Sequence, residues 1–88
     1  MKLDPNFVLQ DIGGEAVLVP TGDAGEAFHG VVRLNETAAF LVRALQKEKA
    51  PDALVEALGE EYDGTAEQHA QAVETTLAKL REVGALIE

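Results

Sequence analysis

Two histidines, one acidic cluster and two glycine pairs are the places where this chain could do chemistry. His29 stands between Phe28 and Gly30, and His69 between Gln68 and Ala70. An imidazole needs further ligands at a fitting spacing to hold a metal. Glu67-x-His69 instead puts its members on different faces of a helix. Both histidines are therefore read as surface or structural residues. Glu60, Glu61 and Asp63 precede Gly64. A calcium loop of the EF-hand type needs acidic ligands at alternate positions and a glutamate at the twelfth. This run has no such alternation and reads as a solvated helix end. Gly13-Gly14 and Gly22-x-x-Gly25 lack the lysine of a P-loop and do not lead directly into a helix. Serine and cysteine are absent, and Thr65, Thr75 and Thr76 have no evident base partner. No activated nucleophile can be assembled from these residues. No catalytic residue, no metal and no cofactor are expected.

The charge narrows the partners. The net charge is −9, with 16 acidic residues against 7 lysines and arginines. It is unevenly placed. Arg33, Arg43, Lys47 and Lys49 outnumber Glu36 and Glu48 between Val31 and Ala50, whereas acids dominate on both sides. An acidic balance favours solubility. It disfavours nucleic acid, whose phosphates need a basic face. Apolar content of 47% and charged content of 26% are those of a globular chain. The longest apolar run, Ala38–Val42, is far short of the roughly 20 residues of a membrane span. The N-terminus shows no apolar stretch of a secretory signal. The expectation is one domain over residues 1–88, in the cytoplasm and away from membranes.

The elements that must position these residues follow from periodicity. Phe7–Ile12 and Glu15–Val19 read as strands joined by the turn Gly13-Gly14, with Pro20 ending the second. Thr21–His29 reads as a loop and Gly30–Leu34 as a third strand. Asn35 is a good N-cap for a helix placed at Asn35–Glu48, with Ala38, Leu41, Val42 and Leu45 on one face. Pro51 opens a second helix, in which Leu54, Val55, Leu58 and Tyr62 recur at helical spacing. Thr65 with Gln68 is a weak capping box for a third helix. Ala66, Ala70, Val73, Leu77 and Leu80 give that helix a core stripe. Gly84 closes it in a Schellman-type end. A three-stranded meander cannot bury its apolar face alone, so the helices must cover it. The fold class expected is α+β and winged-helix-like, a three-stranded antiparallel sheet followed by three helices.

Two readings of function come from this layout. Helices two and three could form a helix-turn-helix, making a winged-helix DNA-binding protein. The first turn of its recognition helix would then carry Ala66, Glu67 and Gln68, a poor match to base contacts. The other reading starts from Val31-Val32-Arg33-Leu34, a short apolar run at a sheet edge. Arg33 could blunt that edge against pairing, or the edge could be kept free to accept a strand from a peptide.

Four stretches together resemble the PqqD-like family, named for pyrroloquinoline-quinone synthesis protein D and also known as the RiPP precursor peptide recognition element. They are VLQDIGGEAVLVP (Val8–Pro20), GVVRLNETAAFLVRAL (Gly30–Leu45), LGEEYDG (Leu58–Gly64) and LAKLREVGALIE (Leu77–Glu88). The resemblance implies a non-catalytic adaptor. Such an adaptor binds the leader segment of a ribosomally synthesised precursor peptide by strand addition and presents it to a modifying enzyme, often a radical SAM enzyme. It implies a pairing edge at Gly30, Val31, Val32, Arg33 and Leu34, and a wall on the third helix at Ala72, Thr76, Lys79 and Val83. The chain departs from the quinone-pathway members at Lys49-Ala50-Pro51, Ala72-Val73 and Ala85-Leu86-Ile87, which points to another peptide pathway. A docking subunit using the same edge on a folded protein is the remaining alternative. An open edge also allows either a monomer or a weak edge-strand dimer.

Overall fold

Gly13 and Gly14 take φ of +60° and +85°, the left-handed pair a two-residue hairpin turn requires. They join two strands in antiparallel register, from Phe7 opposite Pro20 to Ile12 opposite Glu15. The computed structural model describes residues 1–22 and 30–88. In chain order these form β1 (Lys2–Leu3), β2 (Phe7–Ile12), β3 (Glu15–Pro20), β4 (Val32–Leu34), α1 (Glu36–Ala44), α2 (Pro51–Glu61), α3 (Ala66–Glu82) and β5 (Leu86–Ile87). Most of the expected loop Thr21–His29, His29 included, lies outside the described residues.

The main sheet has the order β2-β3-β4 and is antiparallel throughout. Its third strand is shorter than the expected Gly30–Leu34. Gly30 has φ +125°, which interrupts an extended ladder, and pairing begins only at Val32 opposite Leu18. A second ladder was not foreseen. β1 pairs with β5, Lys2 opposite Ile87 and Leu3 opposite Leu86, so the two ends of the chain lie side by side.

The caps account for the helices. The Asn35 side chain accepts the Ala38 amide at 2.7 Å. Thr65 and Gln68 form the reciprocal capping box at 3.1 and 2.9 Å. At the far end of α3, the Ala85 amide donates to the Leu80 carbonyl at 2.8 Å and the Gly84 amide to Arg81 at 3.1 Å. With Gly84 at φ +75°, this is the Schellman pattern. α1 stops at Ala44, four residues before the expected Glu48. To continue, the Leu45 carbonyl would have to accept the Lys49 amide. Both groups are engaged elsewhere: the Leu3 amide donates to Leu45, and the Lys49 amide donates to Met1, at 2.9 and 2.8 Å.

One apolar cluster joins sheet and helices. Leu18 and Val32 from the sheet meet Leu41, Val42 and Leu45, then Leu54, Leu58, Val73, Leu77 and Leu80. The stripe expected on α3 is partly corrected. Val73, Leu77 and Leu80 are buried, but Ala66 and Ala70 are exposed. His69 and Thr76, each 8% exposed, take part in the buried face instead. The Nε2 of His69 is enclosed and has no hydrogen-bond partner among the described residues. Among the described residues no helix is long and apolar enough to cross a membrane.

Candidate binding groove

β4 is the outer strand of its sheet. β3 pairs with one side of it, and among the described residues no strand pairs with the other. Successive side chains point to opposite faces. Val32 is buried at 5% and Leu34 half-buried, both toward the core, while Arg33 between them is exposed. Arg33 therefore lies on the sheet face away from the helices. There its Nε is 3.9 Å from Glu15 Oε2, with both side chains mostly in solvent. A pair that long and that exposed holds Arg33 weakly.

Between β4 and α3 runs a groove of about 160 Å³. Arg33, Leu34, Asn35 and Ala38 border one side, and Thr75, Thr76, Lys79 and Leu80 the other. Ordinary small-molecule pockets span roughly 300–1,000 Å³, so this groove fits one or two side chains rather than a whole metabolite. Its floor is the buried Leu80 and Thr76 with the half-buried Leu34 and Ala38. Its position follows from two local features. The Asn35 cap starts α1 directly after β4, and the three-four spacing along α3 turns Thr76 and Lys79 toward the strand.

The expected site residues divide. Arg33, Leu34, Thr76 and Lys79 meet at the groove. Val32 belongs to the core. Gly30 and Val31 precede the strand. Ala72 and Val83, one turn to either side of Thr76 and Lys79, are half-buried against the core and do not border the groove. Thr76 was placed off the core stripe and is in fact buried. Sequence reading passed over Thr75, Asn35, Ala38 and Leu80 as groove residues. The first is adjacent to an expected wall residue, and the others read naturally as cap or core.

Of three larger hollows among the described residues, one of about 320 Å³ beside Val55, Val73 and Leu77 is apolar, and two of about 400 Å³ each are more polar. One of the polar two lies by Lys2–Pro5, Phe7–Leu9, Arg43 and Gln46, the other by Asp11, Glu15, Glu36, Arg43 and Tyr62. In the second, burial and then the charges of Glu36 and Glu61 push the Tyr62 phenol up, against a smaller opposing effect of Arg43. Among the described residues no group of three or more histidines and carboxylates is arranged to hold a metal.

The family model described as coenzyme PQQ synthesis protein D, PqqD, matches residues 8–86. The chain belongs to the PqqD family. No curated protein matches it. Two solved structures share its fold. One is described as TbiB1 in complex with the TbiA(beta) leader peptide, with TM-score 0.77, 21% identity, and 98% of this chain and 94% of that chain covered. The other is described as lasso peptide synthetase B1 complexed with the leader peptide, with TM-score 0.76, 21% identity, and coverage of 99% and 96%. The PqqD membership and both folds agree with the α+β, winged-helix-like layout, three antiparallel strands followed by three helices.

Proposed function

We propose that this protein is a non-catalytic adaptor that holds the leader segment of a ribosomally made precursor peptide. The leader adds as a fourth strand to the free side of β4, with alternate side chains entering the groove against α3. The adaptor then presents the peptide to a modifying enzyme, a radical SAM enzyme being one class such adaptors serve. The whole of residues 1–88 acts as one domain in this role. The observation that carries the reading is the side of β4 that no described strand pairs, beside an apolar groove. PqqD membership supports it, and so does the fact that both structures of like fold are described as leader-peptide complexes. The chemistry offered is that of strand addition: backbone groups give affinity and a pocket for alternate side chains gives selectivity.

The test is amide hydrogen exchange with and without the leader of a short precursor peptide found by sequencing the genes that flank this one. Strand addition slows exchange at outward-facing amides of Val32–Leu34 and leaves the middle of α2 unchanged. A leader that binds without protecting any β4 amide refutes strand addition at this edge.

A further inference from the structure

The chain carries more than twice as many acids as bases, yet the groove between β4 and α3 inverts that balance. Among the described residues no carboxylate borders the groove, while Arg33 and Lys79 do. The two cations lie on different sides of the space a fourth strand would fill. Arg33 is on the outer face of the sheet, and Lys79 is an exposed residue on the helix that walls the inner face. Among the described residues neither is committed to a strong partner: Arg33 has only the long, exposed contact to Glu15. The nearby Arg81 is committed, through its guanidinium contacts of 2.9–3.2 Å to the Glu88 carboxylate.

Resting on the reading above, we infer that the groove selects an extended peptide segment in which an acidic residue directly adjoins an apolar one. In a strand, neighbouring side chains point to opposite faces. An apolar side chain turned inward reaches the floor of Leu34, Ala38, Thr76 and Leu80. The next residue turns outward and stands across from Arg33, where opposite charges on adjacent strands attract. Lys79 extends the preference to a second carboxylate at the groove mouth. The other basic residues of the same stretch do not share this role: Arg43 borders the two polar hollows and not the groove.

The inference is tested by panning a displayed library of random twelve-residue peptides (an order-of-magnitude match to one strand plus flanks). The targets are the wild type and the double variant Arg33→Glu with Lys79→Glu. Both residues are exposed, so the variant keeps its fold, which circular dichroism and a urea midpoint verify. The expected result is enrichment of Asp or Glu next to an apolar residue on the wild type, and a shift to Lys or Arg on the variant. A chain of net charge −9 attracts cations through its overall field, so enrichment of acidic peptides is a local effect of the groove. A selected acidic peptide should bind the variant roughly 3- to 30-fold more weakly at low salt. Enriched peptides without an acidic excess, or the same enrichment on both targets, overturn this inference and leave peptide binding standing. No enrichment on either target counts against peptide binding itself.

Discussion

Side chains one position apart on α3 differ sharply in what they contribute. Leu80 is fully buried, whereas Lys79 is exposed at the groove. Leu80→Ala is expected to cost about 2–5 kcal/mol, since a large core side chain leaves a cavity. Lys79→Glu is expected to change stability by only a few tenths of a kcal/mol, about the usual size for a surface substitution. Urea unfolding of the two variants checks both values, and a Lys79→Glu loss as large as that of Leu80→Ala would place Lys79 in the core. Gly64 offers a second contrast. It sits at φ +134°, and an added Cβ would lie 2.9 Å from Gln68 Oε1 and 3.3 Å from His69 Cε1. That oxygen is the acceptor for the Thr65 amide, so the methyl both strains the backbone and dislodges half of the capping box. Gly64→Ala should destabilise by roughly 1–3 kcal/mol. Gly14→Ala has a positive φ but open space around its Cβ, and should cost less. Thermal unfolding of the pair separates conformational strain from the lost cap, and equal losses would mean the cap contributes nothing.

At the scale of elements, what sequence revealed was what local chemistry dictates. The Gly13-Gly14 turn, the Asn35 and Thr65 caps and the Gly84 terminus are each set by residues within a few positions, and each is found where the sequence puts it. What escaped depends on distant partners. β1 and β5 are two residues each, too short for any periodicity, and exist because each pairs with the other end of the chain. The early end of α1 is set by the N-terminal segment in the same way. On α3 the spacing alone chose Ala66 and Ala70, whereas the buried face is rotated toward His69 and Thr76. Polar residues on a buried face are read as surface unless the packing is seen. The groove was legible as an edge strand, a helix and part of its lining, Arg33, Leu34, Thr76 and Lys79, whereas Asn35, Ala38 and Leu80 enter it only through packing. The contact between Arg81 on α3 and Glu88, the residue after β5, carries a pH dependence. The Glu88 carboxyl is held below its ordinary 4.5, first by hydrogen bonds from Arg81, opposed by desolvation, and then by the Arg81 charge. Its folded value is depressed, so the contribution is present above the ordinary value and is lost as pH falls through the folded one. Glu88→Gln should lower the thermal midpoint slightly near neutral pH and by nothing well below pH 4.5. A difference that persists in acid would show that the contact does not depend on the charge.

At the scale of the whole molecule, the overall field and the groove oppose each other for an acidic ligand. The segment Pro51–Glu88 holds nine acids against Lys79 and Arg81, and it repels such a peptide from a distance. Arg33 and Lys79 attract it only on arrival. The molecule extends 39 × 30 × 19 Å, while screening reaches about 10 Å at 0.1 M salt. Salt therefore suppresses repulsion from remote acids first, and short-range attraction at the groove survives longer. The association rate of a selected acidic peptide should rise between about 0.01 and 0.1 M salt. Its dissociation rate should rise as well, because rim charges across an interface weaken when screened. A basic peptide of equal length should show the opposite slope in association, as steering by a field of opposite sign fades with salt. Stopped-flow fluorescence over that salt range reads both rates separately. If the acidic peptide associates more slowly as salt is added, the local cations govern its approach from long range, and the opposition between field and groove does not exist.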